Sequence, residues 1–301
     1  MRKQPDAPVL LSGRHFTAQE IFVVQETVRM FPNLSRRELA KTLCENLNWF
    51  TPAGQYKISS CLQLLEKLES QGLVTLPEKR SQMGPKKKER ISFGPRTVPG
   101  ELLSGDIRDY APITLEPLHG PGELGLWNEY IHRYHSLGYK RPFGAHQRYF
   151  IYSVVTPKPL GCLLFAASAW ALEARDHWIG WTETDRRLRL HLVLNNTRLL
   201  IFPWVQVKNL ASKVLSLAVK RIGQDWQARY GYSPVLLETF IDPEQYQGTC
   251  YKAANWVFLG QTKGRGRSEQ HNKSPLTRKD IYVYPLVADF RSCLKGETAH
   301  E

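Results

Sequence analysis

Cysteine is scarce, and nothing in its placement suggests pairing. The five residues (Cys44, Cys61, Cys162, Cys250, Cys293) are scattered, odd in number and free of any CxxC. That spacing excludes a disulfide framework or a zinc finger and fits a reducing compartment. Long apolar runs are missing as well. The longest hydrophobic stretch, "PLGCLLFAASAWAL", is too short to cross a bilayer and reads as core. The opening "MRKQPDAPVLLSG" lacks the apolar stretch of a secretory signal. These absences lead to the expectation of a cytoplasmic protein without membrane association.

Acid is also in deficit. Lys and Arg number 41 against 28 Asp and Glu, leaving a net charge of +13. The distribution of that excess is more informative than its sum. Residues 79–96 hold seven basic side chains and one acid, a surplus of six, and residues 263–279 hold six and one, a surplus of five. Two short segments thus carry 11 of the 13 excess charges. Clusters of this kind meet phosphate, and duplex DNA is the expected partner. With 42% hydrophobic and 11% aromatic residues, the 301-residue chain has material for a sizeable core and room for two domains.

The first domain, expected over residues 1–90, opens with "TAQEIFVVQETVRMF". Ile21, Val24, Val28 and Phe31 recur there at helical spacing behind a Thr17/Glu20 capping box. "SRRELAKTLCENLNW" repeats the device with Ser35 and Glu38. "KISSCLQLLEKLESQG" aligns Ile58, Cys61, Leu62, Leu65 and Leu68 before Gly72 ends the helix. "LVTLP" follows as an expected short strand. Three short helices and a strand predict a winged helix-turn-helix, whose third helix would turn Lys57, Ser60 and Gln63 to the major groove. "RSQMGPKKKERISFG" would be the wing or the linker after it, with Lys86, Lys87, Lys88 and Arg90 on phosphates. A helical protein-interaction module is the other reading of the same pattern.

Residues 91–125, rich in proline and glycine, read as a connector draped over a second domain at 126–301. There "ELGLWNEYIHRYHSLGY" is helical. His132 and His135, three apart on it, have no third ligand at useful spacing, so no metal is expected. Strand-like runs come first (148–155, 159–168, and 190–202 broken at Asn195–Asn196). Then come a long amphipathic helix, the strand "PVLLETFI", the short helix "YQGTCYKAANW", and the strands "VFLGQT" and "DIYVYPL". This order predicts an α/β (α+β) fold with a mixed sheet.

The second domain resembles the GNAT acyltransferases. After the strand "RLLIF", the segment "PWVQVKNLASKVL" puts Gln206, Asn209 and Ala211 in register with that family's Gln/Arg-x-x-Gly-x-Gly/Ala loop, with Asn209 where glycine is expected. The resemblance implies acyl-coenzyme A as donor, its pyrophosphate held by the backbone of Gln206, Val207, Lys208, Asn209, Leu210, Ala211 and Ser212. In "YKAANW", Tyr251 matches the tyrosine of a Tyr-x-x-x-Gly-Phe-like phrase, with Asn255–Trp256 in place of Gly-Phe. That tyrosine's implied role is general acid toward the departing thiolate. Glu238 and Asp242, ending "LLETFID", stand as general-base candidates. In "KGRGR", Lys263, Arg265 and Arg267 alternate and would hold nucleic acid near Tyr251.

A longer resemblance is carried by "RDHWIGW", "NNTRLLIFPWVQVKNLAS", "LLETFIDPEQYQGTCYKAANW" and "LGQTKGRGR". These phrases resemble the DruA family of the Druantia anti-phage defence system, whose relatives also occur with insertion-sequence transposases. The resemblance implies a DNA-related role in defence or in a mobile element. Two functions follow. One is a DNA-binding protein that transfers an acyl-type group to nucleic acid. The other is an inactive recognition subunit that recruits a helicase or nuclease.

Overall fold

The computed structural model describes residues 9–11, 14–31, 34–51, 55–78, 91, 93–118, 120–142, 144–263 and 277–297. The first two helices form where their caps place them. In α1 (Ala18–Met30) the Thr17 side chain accepts from the Glu20 N–H, and the Glu20 carboxylate accepts from the Thr17 N–H. Ser35 and Glu38 do the same for α2 (Arg36–Asn46). Each box satisfies donors that a helix start otherwise leaves orphaned. Together with α3 (Ile58–Ser70) they close a core of Ile21, Val24, Val28, Leu39, Leu43, Cys61, Leu64, Leu65 and Leu68, all 5% exposed or less. A hairpin of β1 (Val9–Leu11) and β2 (Arg14–Phe16), unforeseen in the sequence, precedes them.

The strand expected at "LVTLP" is not formed: residues 74–78 have no regular pairing. Side chains take the backbone groups a ladder would need. The Leu76 N–H donates to Glu69 (3.1 Å), and the Pro77 carbonyl accepts from Arg36 (2.7 Å). The proposed wing, with Lys86, Lys87, Lys88 and Arg90, lies outside the described residues.

The connector does more than drape. It supplies β3 (Leu103–Asp106), β4 (Ile113–Pro117) and the first turn of α4 (Pro121–Tyr134), so the core begins well before residue 126. Next come β5 (His146–Ser153), β6 (Thr156–Ala167), α5 (Glu173–Ile179), α6 (Glu183–Arg189) and β7 (Val193–Ile201). After them stand β8 (Val205–Lys208), α7 (Leu210–Tyr230), β9 (Leu236–Ile241), α8 (Thr249–Ala253), β10 (Val257–Gln261), β11 (Asp280–Pro285) and α9 (Phe290–Lys295). A seven-stranded sheet runs β10-β11-β9-β7-β6-β5-β4. All its pairings are antiparallel except β7 with β9. β8 pairs separately, in parallel with β3. The central β6 is buried from Leu160 to Ala166, which explains its unbroken apolar run.

The helical module abuts this core. Phe31 meets His191 edge-on at 4.9 Å and Tyr232 at 5.1 Å, beside a cavity of about 60 Å³ shared by α1, α2 and the core. Burial, reinforced by the Arg189 charge, holds the His191 imidazole down at about 4; burial and Arg148 do the same to His146. Unfolded histidine takes its proton near 6.5. A depressed folded pKa therefore leaves this stability intact above about 6.5 and removes it as pH falls toward 4. The melting temperature is expected to drop steeply between pH 6.5 and 4.5. His191→Gln should flatten that drop, and an unchanged slope would free His191 of any part in it.

Candidate functional site

The parallel pairing of β7 with β9 covers only Val193–Asn195 against Leu236–Glu238. Beyond it the strands share no pair, and a cavity of about 570 Å³ opens between their continuations. Asn196, Thr197 and Leu199 of β7 line one wall, and Thr239 to Asp242 of the β9 side line the other. A bulge falls at this point. Phe165 pairs with Asn196 and Leu164 with Arg198, so Thr197 is the extra residue. The Asn195–Asn196 break seen in the sequence thus marks the point where the sheet opens.

Asn196 is fixed from every side. Its amide nitrogen donates to the carbonyls of Leu164 (3.0 Å) and Arg198 (3.1 Å), and its backbone carbonyl accepts from Thr239 Oγ1 (3.0 Å). Its side-chain oxygen accepts from Tyr251 Oη at 2.6 Å. Tyr251, from α8, is 7% exposed, meets Trp256 edge-on and lies stacked with Tyr282. Burial pushes its phenol above the ordinary value, so the hydroxyl keeps its proton at neutral pH.

The start of α7 borders the same cavity. Asn209 has φ 63°, a left-handed conformation, and makes no side-chain cap. The first helical bond runs from Lys213 N to Asn209 O, leaving the N–H groups of Leu210, Ala211 and Ser212 without helical acceptors. Ala211 borders the cavity. Asn255, after α8, is likewise left-handed at φ 61°. Both asparagines that replace the glycines of the expected pattern therefore keep a glycine-like backbone, which asparagine tolerates better than most residues.

Other expected residues stand elsewhere. Glu238 is fully buried: Oε1 accepts from Ala169 N (2.7 Å) and Oε2 from Arg175 Nη1 (2.7 Å). Burial raises its pKa against the pull of Arg175. With both oxygens engaged and no place on the cavity wall, it is corrected from general base to ion-pair anchor. Asp242 does border the cavity, but its oxygens accept from Glu244 N (3.1 Å) and Gln245 Nε2 (3.3 Å), so it pins its own turn. Gln206, Val207 and Lys208 form a strand rather than a loop, with Val207 in the core. The uncapped helix start is therefore confined to Asn209–Ser212. On α3, Gln63 is exposed and Ser60 half-buried, with half-buried Lys57 at its N-cap.

Lys263 pairs with Glu173 of α5, away from the cavity wall, and Arg265 and Arg267 lie outside the described residues. Lys279, at the far end of the same basic segment, does border the cavity. His135 also lines it, held to about 4 by burial and Arg198. Among the described residues no group of His, Cys, Asp or Glu could hold a metal, and no helix is long and apolar enough to cross a membrane. Asn196, Thr239, Lys279 and Tyr246 line the cavity without having been legible as site residues in the sequence. The strand break at Asn195–Asn196 and the basic run to Lys279 were the available signals.

No curated protein matches the sequence. Among solved structures, the chain is similar to a spermidine/spermine N-acetyltransferase of Vibrio cholerae at 12% identity and TM-score 0.39, covering 62% of this chain and 97% of that one. It is similar to an aminoglycoside acetyltransferase solved with coenzyme A and kanamycin at 14% identity and TM-score 0.36, covering 57% and 94%. A probable GNAT-family acetyltransferase of Chromobacterium violaceum gives 11% identity and TM-score 0.37, covering 70% and 96%. The GNAT-like character of the core rests on its own topology: β7 runs through α7 to a parallel β9, then through α8 to β10 and β11. The sequence model of the family described as Druantia protein DruA matches residues 111–273, which is 163 of the 301 residues. The match spans six of the seven sheet strands, all but β11, with the start of α7 and the Tyr251 helix, and the chain belongs to the DruA family.

Proposed function

We propose that this DruA-family chain is a two-domain DNA-binding protein of anti-phage defence. In this reading the N-terminal module, of winged helix-turn-helix type, holds duplex DNA, and the GNAT-like core transfers an acyl group to nucleic acid. One observation carries the reading: a single cavity of about 570 Å³ is bordered by Ala211 in an uncapped helix start and by Tyr251.

Acyl-coenzyme A, when bound, supplies an acyl group activated as a thioester. The free N–H groups of Leu210, Ala211 and Ser212, at the positive end of a 21-residue helix, favour its pyrophosphate. Tyr251 holds a proton at Oη for the departing sulfur. Asn196 orients that phenol and, as an amide, cannot take the proton itself. Asp242, on the cavity wall, is the remaining carboxylate for the proton of an attacking amine. Lys57, Ser60 and Gln63 would face the groove, and Lys86, Lys87, Lys88 and Arg90 the phosphates. Asn209 in place of glycine would favour an inactive subunit; its left-handed conformation at φ 63° supports the active reading instead.

Native mass spectrometry of the purified chain should show coenzyme A bound, and DNA affinity should fall steeply with salt. Replacing Lys86, Lys87 and Lys88 with alanine should lower the salt slope by about two to three units and weaken all sequences alike. Absence of coenzyme A binding would return the core to a recognition role, and an unchanged slope would remove the 79–90 segment from the interface.

A further inference from the structure

The loop after β9 presents an aromatic ring for which the proposed reaction has no use. Tyr246 is 56% exposed, yet it borders the cavity, four residues after Asp242 and five before Tyr251. An exposed tyrosine on a loose loop would call for no explanation. This loop is pinned at both ends. The N–H groups of Tyr246 and Gln245 donate to the Asp242 carbonyl at 2.9 and 3.2 Å, while the Asp242 carboxylate accepts from Glu244 N and Gln245 Nε2. At the other end Gly248 has φ 67°, and a Cβ there would meet Tyr282 Oη at 2.7 Å. The left-handed backbone favours glycine, and the close approach leaves no room for a Cβ unless the buried Tyr282 shifts.

The surroundings indicate what the ring receives. Lys279 borders the same cavity and ends a segment with five surplus positive charges. Its backbone is held to Thr262 by two hydrogen bonds (2.9 and 3.0 Å), so the root of this side chain is fixed beside the cavity. Asp242 is the one carboxylate among the described cavity residues, and Lys279, lining the same cavity, offsets its charge. A polycationic acceptor such as a polyamine therefore finds no surplus of counter-charge there. An exposed aromatic ring on a backbone-pinned loop, with a lysine lining the same cavity, suits a base joined to phosphate, because every base offers a π-face.

We propose that Tyr246 is the stacking platform for an unpaired DNA base at the cavity mouth, with Lys279 on the neighbouring phosphate and the base edge directed toward Tyr251. Gln247, exposed beside Tyr246 on the cavity wall, is placed to hydrogen-bond that edge. The inference rests on the reading that the cavity acts on nucleic acid. A duplex base is stacked on both faces and cannot use the platform until it is extruded.

The adenine of an acyl donor has the same stacking chemistry, so the test uses two probes on the full chain. Fluorescence anisotropy would follow a labelled single-stranded oligonucleotide of about ten nucleotides, and calorimetry would follow coenzyme A. Tyr246→Ala should weaken the oligonucleotide by roughly five- to a hundredfold, with duplex and coenzyme A affinities unchanged. Tyr246→Phe should bind as the wild type. The ring is exposed, so neither change should move the melting temperature. Loss of coenzyme A affinity alone would assign the ring to the donor's adenine and overturn the proposal. An equal loss on duplex, or no loss on the single strand, would also overturn it while leaving the acyl-transfer reading standing. If the wild type binds neither probe, both readings fall.

Discussion

Tyr251→Phe is expected to stop thiol release from acetyl-coenzyme A in the presence of DNA, lowering the rate by about 10²- to 10⁴-fold. Affinity for DNA and for coenzyme A should be unchanged. The variant removes one oxygen, the one that donates to Asn196 at 2.6 Å and that burial keeps protonated. Asn196 retains its two bonds to the Leu164 and Arg198 carbonyls, so the bulge and the cavity wall remain in place. Because the buried Asn196 oxygen loses its donor, the change should cost about 1 to 3 kcal/mol in stability, so a modest fall in melting temperature accompanies the loss of rate. A purely structural tyrosine would give the lower melting temperature with full thiol release. Trapping the released thiol in a colorimetric assay, alongside thermal melts, separates the two.

How much of this was legible in the sequence differs by element. The helices α1 and α2 and the strands β5 to β7, β9, β10 and β11 follow from capping pairs, periodicity and apolar runs, which are local signals. The opening of the sheet left a trace in Asn195–Asn196, and the two left-handed turns left asparagine where glycine was expected. Local signals could not show that "LVTLP" would lose its ladder, because Glu69 and Arg36 reach its backbone from elsewhere. Nor could they show that a proline- and glycine-rich connector supplies an edge strand, since β4 is specified by its pairing with β5. The Glu238 assignment failed for the same reason. A carboxylate at a strand end reads as available until the arginine buried against it, 63 positions away, is known.

That arginine carries the last expectation. Arg175 and Glu238 are both fully buried, and the guanidinium also binds the Ala169 carbonyl (2.8 Å) and Asp176 Oδ1 (2.7 Å) while lying over the Trp181 ring. Glu238 occupies the final paired position before β7 and β9 part, so this network ties the narrow end of the cavity to the segment after β6. Removing one partner strands a charge where water cannot reach it. Glu238→Ala is therefore expected to lose about 3 to 5 kcal/mol, a fall of roughly 5 to 8 °C in melting temperature for a chain of this size. Replacing both members together, Arg175→Met with Glu238→Leu, should recover most of that loss, because the cost lies in the unpaired charge and not in the missing pair. A general base at this position would behave otherwise. Glu238→Gln would then abolish activity at an unchanged melting temperature, and that outcome would return Glu238 to the reaction.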